Sequence, residues 1–416
     1  MRQLNLILLA FSILIISCDD KDKDAFFMLH NEIDIARTEV VVLTKKQIQE
    51  KIPQFDESHI LLLKDSMGIE IPYQLDDIDQ DGTWDEVALA IPFNAKQLKK
   101  IFITSNKTNV GLSYESNEMS SYHHYTDVHF GVGKAKPDAS EVQLYTRSYD
   151  PRETDSLFFQ MEGPAWENDK VGFRMYFDPR NGIDIFGKTT SEPTLHKQGL
   201  TTNYHEKADW GMDILKVGNS LGAGSLAFKH QDSLYRLTGW NGARFETITE
   251  GPARAIFKMT YLDEFIGDKS YHIVHTITIE KGDWFYNSDV EIHGVTDEIE
   301  LFTGIVDLKD NKKNFYQTKE GNQVLLSFGK QSENDDHLGM AIITTGLSPS
   351  IINSEAPKDG DGITNTHLLN LGNNKNLSFY FLSGWEASDN QFTSELDFRE
   401  VVAKASAMIN SPITIQ

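Results

Sequence analysis

The sequence predicts an all-β chain of antiparallel sheets, and three observations carry that prediction. Runs of β-branched and aromatic residues recur along most of the length, broken by polar turns. No alternation of strand and helix patterns appears, which argues against a doubly wound sheet. Aromatic residues make up 11% of the 416 residues and proline only 12 positions, a balance that suits strands. So many strands do not fit one flat sheet, so two large sheets packed face to face are expected.

Taken in order, residues 1–24 read as a lipoprotein signal and tether. Met1-Arg2 gives a positive start, and Leu4 to Ile16 is an apolar run too short for a membrane span. It ends in Ile15-Ile16-Ser17-Cys18, which resembles a bacterial lipobox. Cys18 is the only cysteine, so it is the expected lipidation site and no intrachain disulfide can form. Residues 25–112 read as a small β-sandwich. Its strand signals are "TEVVVL", "HILLLK", "IEIPYQ", "DEVALAI" and "KKIFIT", with one short helix at "KKQIQEK". The polar stretch 105–122 reads as a linker. Residues 113–416 form the larger unit, whose long strand signals include "ARAIFKMTYL", "YHIVHTITIE" and "LSFYFLSGW". A helix closes it at "TSELDFREVVAKASAMIN", with Leu396, Val401 and Ala405 among its apolar positions. Ser394 is its expected N-cap, Asp397 sits at the capping-box position, and Pro412 stops it.

The formal charge of −23 argues against nucleic acid and anionic lipid surfaces as partners. It leaves room for a local basic pocket that takes an anionic substrate. No G-x-S-x-G elbow is present, and no carboxylate spacing identifies a glycosidase pair. "GNSLGAG" lacks the spacing and the Lys-Ser/Thr end of a phosphate loop, so its glycines read as close packing between strands.

"GPARAIFKMTY" and "HTITIEKGDWFYNSDVEI", followed by strands and a terminal helix, resemble the galactose-mutarotase-like supersandwich of many carbohydrate enzymes. "GPAWENDKVGFRMYFDPRNGIDIFGK" and "DWGMDILKVGNSLGAGSLAF" resemble more closely a family of Bacteroidota lipoproteins long known only as a domain of unknown function. That family is encoded in polysaccharide-utilisation loci and includes an ulvan oligosaccharide dehydratase. The resemblance covers most of the chain after residue 25. It implies a large antiparallel supersandwich, a carbohydrate substrate and an outer-membrane lipid anchor. It transfers no catalytic set residue by residue.

Four constellations could carry chemistry. In "DDIDQDGTWDE", Asp77, Asp79, Asp81 and Asp85 follow the opening of a calcium loop, but the closing position falls on Ala88, which cannot ligate. A structural calcium ion and a solvated acidic turn are the two readings, and no other cofactor is expected. In "SSYHHYTDVHFG", His123 and His124 are candidates for proton transfer; a polar linker that happens to hold histidines is the alternative. In the segment 162–188, alternation sends Val171, Phe173, Met175 and Phe177 into a core, while Arg174, Tyr176 and Asp178 share the other face. Arg174 offers a planar fork to a sugar carboxylate or sulfate, with Arg147 or Lys188 as a second cation. Trp166 upstream is a candidate sugar platform. An ordinary salt-bridged sheet face is the bland reading. In "TTNYHEKADWGMD", Tyr204 and His205 form an acid/base couple on a loop, with Trp210 beside them.

The expected chemistry is removal of the C5 proton of a terminal uronic acid. Arg174 would neutralise the carboxylate, and His123, His124, Tyr204 and His205 would share the base and acid roles. If the leaving group is a hydroxyl the enzyme is a dehydratase; if it is a sugar oxygen, a polysaccharide lyase. A non-catalytic glycan-binding lipoprotein and a mutarotase-like epimerase are the competing classes.

Overall fold

The structure, a computed structural model, describes residues 25–53, 55, 60–106, 127–129, 144–153, 160–199, 203–309, 311–345 and 353–416. The fold is all-β, with every strand pair in its sheets antiparallel. A nine-stranded sheet forms the floor of the large unit. In its strand Lys269–Glu280, buried and half-buried positions alternate strictly, so Tyr271, Ile273, His275, Ile277 and Ile279 face inward. This period of two is the pattern of a strand packed on one side.

Two five-stranded sheets cover that inner face. One core joins all three, with Trp166 and Phe173 from the first small sheet, Leu226 and Leu301 from the second, and Phe257, Ile277 and Phe381 from the large one. This is the supersandwich. The glycines of "GNSLGAG" do sit in tight packing: Gly222 has φ +67°, and a Cβ there would lie 2.1 Å from the Ile183 carbonyl oxygen.

The helix Glu395–Asn410 packs on the outer face of the nine-stranded sheet, where Phe398, Val401, Val402 and Ala405 meet Val324, Ala341 and Leu382. Ser394 caps it, its hydroxyl accepting from the Asp397 amide at 3.2 Å. The expected apolar face is rotated slightly: Leu396 is 70% exposed, and Phe398 takes the inward position. Among the described residues, no helix is long and apolar enough to cross a membrane.

Residues 25–106 supply three strands of a four-stranded sheet and all of a three-stranded sheet around one separate core. The helix Lys45–Lys51 carries a full capping box from Thr44 and Gln47. The chain end departs from the expected division: Thr414–Ile415 returns to pair with Ala25–His30, and Ile413 enters this smaller core. Gln74, Asp76 and Glu86 of the small unit meet Arg254 of the large one, with Arg254 2.7 Å from Asp76 and 2.6 Å from Glu86.

Candidate functional site

The first small sheet runs, edge to edge, Gly211–Asp213, Ile183–Lys188, Val171–Met175, Ala165–Glu167 and Asp127–His129. The alternation expected for Val171–Met175 holds, and Val171, Phe173, Met175 and Phe177 all enter the main core. The second face is not open to solvent. Met161, Ala165, Phe186, Leu195 and Tyr204 form a small core over it, with Trp210 packed alongside.

Arg174 lies under this cover with 1% of its side chain exposed. Strand register puts Asp184 directly opposite, and the two side chains form an ion pair. The Arg174 Nη1 also donates to the Met161 carbonyl. It lies 3.5 Å from the Tyr204 hydroxyl and 4.0 Å from Glu162. Burial works against the charge, but Tyr176, Asp213, Tyr204 and Glu162 together hold the guanidinium above its usual range. Arg174 is therefore a buried, already paired cation, and the expectation that it grips a carboxylate directly is corrected.

Above it the polar groups climb toward solvent. The Tyr176 ring is stacked between two guanidinium groups, 4.4 Å from Arg174 and 3.9 Å from Arg180. Asp178, placed on the same face as Arg174 by the strand pattern, clamps Arg180 through two oxygens at 2.5 and 3.0 Å. Arg180 also reaches Glu162 at 3.2 Å. Met161 and Glu162 have φ of +50° and +68°, a left-handed backbone that non-glycine residues rarely adopt and that marks stored strain. Next to them, a Cβ at Gly163 would fall 2.0 Å from the Met175 carbonyl oxygen, so only glycine lets the two backbones approach.

Tyr204 and His205 sit on the loop that leads into Gly211–Asp213. Their rings lie 4.4 Å apart. Buried Asp213 pairs with His205 Nδ1 at 3.3 Å, and its own amide donates to the Tyr204 carbonyl at 2.8 Å. His205 is 63% exposed while Tyr204 is buried. Burial pushes the Tyr204 phenol up, and the neighbouring Arg174 pulls it back. Tyr176 is likewise raised by burial and opposed by Arg174. Both phenols are thus protonated and able to donate at neutral pH.

The remaining expectations divide. Trp166 is fully buried, stacked on Phe173 and edge-on to Tyr286, so it is a core residue and not a sugar platform. Arg147 is buried too, donating to the carbonyls of Thr238 and Tyr149 at 3.0 and 3.2 Å. Lys188 is occupied by Glu167 at 2.5 Å. Trp210 is half-buried, 6.3 Å from Phe186. His123, His124 and Cys18 lie outside the described residues. Asp77, Asp79 and Asp85 bring carboxylate oxygens within 4.8 Å of one another. Asp81 does not join them; it caps Thr83 through the amide and hydroxyl at 2.8 and 2.7 Å.

The structure therefore brings together Arg174, Tyr176, Asp178, Tyr204 and His205, and adds Glu162, Arg180 and Asp184. Asp184 was within reach of sequence reasoning. "FDPRNG" is a strong turn signal, and a hairpin closed there sets Arg174 against Asp184. Glu162 carried no comparable signal.

The family model described as "Domain of unknown function (DUF4861)" matches residues 29–415. The uncharacterized protein P7 of Formosa agariphila is 24% identical over 430 aligned positions, which span 98% of this chain and 97% of P7. Two solved structures from Enterococcus faecalis match at 9% identity. One is an alpha-mannosidase, at TM-score 0.47 over 94% of this chain and 45% of that one. The other is a protein of glycosyl hydrolase family 38, at 0.49 over 95% and 48%. The chain spans about half the length of these two structures.

Proposed function

We propose a function for a chain that belongs to the family described as Domain of unknown function (DUF4861): a carbohydrate-active hydro-lyase. In this reading it eliminates water from the non-reducing-end uronic acid of ulvan-type oligosaccharides and leaves an unsaturated uronate. The resemblance of the 163–188 and 209–228 motifs to the family containing an ulvan oligosaccharide dehydratase supports the substrate class. The observation that carries the chemistry is the contiguous chain of Asp213, His205, Tyr204 and Arg174.

Elimination needs a base for the proton at C5, an acid for the hydroxyl at C4 and a positive field to stabilise the developing enolate. Exposed His205, oriented by Asp213, takes the C5 proton. The C5–H electron pair becomes the C4–C5 double bond, the C4–O bond breaks, and Tyr204 donates its phenolic proton so that water leaves. Arg174 acts as a positioning residue: it keeps a fixed positive charge under the phenols without touching sugar. Arg180, half-buried against Tyr176, is the more exposed of the two guanidinium groups that meet that ring.

The test is incubation of purified protein with a panel of oligosaccharides ending in saturated uronates. A product lighter by one water and a rise in ultraviolet absorbance from the new double bond support the reading. A product that instead splits the chain identifies a polysaccharide lyase. Unchanged sugar with retained binding identifies a glycan-binding lipoprotein, and altered stereochemistry without mass loss identifies an epimerase. The same proposal has the mature chain lipidated at Cys18 and held at the outer membrane. Metabolic fatty-acid labelling that persists in Cys18→Ala would overturn the anchor.

A further inference from the structure

We propose that a crevice remote in sequence from the Tyr204–His205 cluster is a second sugar site, one that takes a single uncharged pyranose ring. It lies where the small unit, the nine-stranded sheet and the terminal helix meet. A cavity of about 240 Å³ is lined by Arg37 and Thr38, by Asp283, Trp284 and Phe285, and by Gln391 and Lys404. A neighbouring cavity of about 150 Å³ shares Asp283 and Phe285 and adds Glu280 and Tyr380. The larger space falls below the usual range for drug-sized ligands, which fits one ring and not a chain.

The fold uses only part of the hydrogen-bonding capacity of the polar groups here. Arg37 places Nη2 on the Ser411 carbonyl at 2.7 Å and Nε 2.8 Å from Glu39. Its Nη1 is buried and has no hydrogen-bond partner among the described residues. A buried donor without a partner has lost its water with nothing in exchange, a loss that a ligand hydroxyl would recover. Among the described residues, the carboxyl groups of Glu280 and Asp283 accept no hydrogen bond, while the backbone carbonyls of both accept from Asn168 at 2.5 and 2.8 Å. Trp284, Phe285 and Tyr380 supply apolar walls, with the Phe285 and Tyr380 rings edge-on at 5.6 Å. Donor, acceptors and aromatic faces in one small space match a pyranose, whose hydroxyls both donate and accept and whose C–H face is apolar.

Charge selects an uncharged ring. Burial raises the Asp283 carboxyl well above the usual range, and Glu280, Glu39 and Asp169 add to that rise while Arg37 opposes it. Glu280 is likewise raised, to about 7, first by burial. Around the two cavities the acidic groups Glu280, Asp283 and Glu39 outnumber the basic Arg37 and Lys404, so a uronate is disfavoured here.

Saturation-transfer NMR on the full chain tests this, with methyl glucopyranoside, methyl xylopyranoside and methyl rhamnopyranoside as probes and methyl glucuronide as the charged counterpart. At least one neutral glycoside should receive saturation, with a weaker effect on the glucuronide. Asp283→Ala and Gln391→Ala should each weaken binding at least fivefold. Gln391 is half-buried on a short surface turn, so its variant folds and decides the matter if Asp283→Ala does not. Absence of transfer to every neutral glycoside overturns the proposal. So does binding that is undiminished in Gln391→Ala, or a preference for the glucuronide.

Discussion

A guanidinium on the covered face of strand Val171–Met175 has Asp184 opposite it and Tyr204 above it. Removing one partner of such a pair leaves the other charge buried and uncompensated, which destabilises by about 3–5 kcal/mol. Asp184→Asn should therefore lower the unfolding free energy read from urea denaturation by that much, whereas Arg147 and Trp166 substitutions should harm folding without any specific effect on sugar turnover. The acid and base roles make a separate prediction. Tyr204→Phe and His205→Ala should each reduce elimination by roughly 10²–10⁴-fold while far-ultraviolet circular dichroism stays unchanged. Wild-type turnover in both variants would remove the pair from the mechanism. Arg174→Lys should fail to restore Arg174→Ala, because an ammonium cannot both stack on Tyr176 and reach two acceptors.

At the scale of elements, the terminal helix shows how an amphipathic pattern reads nearly correctly. Cap, stop and most of the buried face follow from "TSELDFREVVAKASAMIN", but the inward apolar residue near its start is Phe398 and not Leu396. A helix with several apolar residues in its first turns has more than one reasonable stripe, and the receiving sheet chooses. Phe398 packs against Phe392 at 6.0 Å and Phe328 at 5.8 Å. Phe398→Ala should cost about 3–5 kcal/mol, and Leu396→Ala should stay within about 0.5 kcal/mol, both read by denaturant unfolding. The same logic governs the candidate site. Period two correctly divided residues 171–178 into two faces, but whether the polar face met water or a cover depended on distant residues such as Leu195 and Tyr204 packing over it.

For the whole molecule, the junction of the two units is acidic and partly buried. The Glu280 carboxyl is raised by burial to about 7 from its ordinary 4.5, so the native state favours its protonated form. In the unfolded chain it ionises at lower pH, so stability is full below about 4.5 and falls as pH rises toward 7. The full shift corresponds to roughly 3 kcal/mol, and the partial solvent contact of Glu280 puts the measured loss below that. Glu280→Gln should flatten this part of the pH–stability curve; a curve unchanged between pH 5 and 8 would contradict it. Across the same junction, Arg254→Ala should destabilise by about 3–5 kcal/mol, because Asp76 is left buried without its cation.

Composition and periodicity by themselves determined that this chain is all-β, where the helices Lys45–Lys51 and Glu395–Asn410 lie and which strand faces enter the core, because those properties are local and repeat every two or 3.6 residues. They also marked Arg174 and Tyr176 on a strand face and, separately, Tyr204 and His205 on a loop, since polar residues are costly inside a sheet protein unless they are paired or used. Only the tertiary structure decided that Arg174 is paired from below by Asp184, that Trp166 and Arg147 are core, that Asp213 holds His205, and that the chain end returns to the first sheet. Those outcomes depend on which distant segments lie against each other, and contacts between residues far apart in sequence leave no period to read.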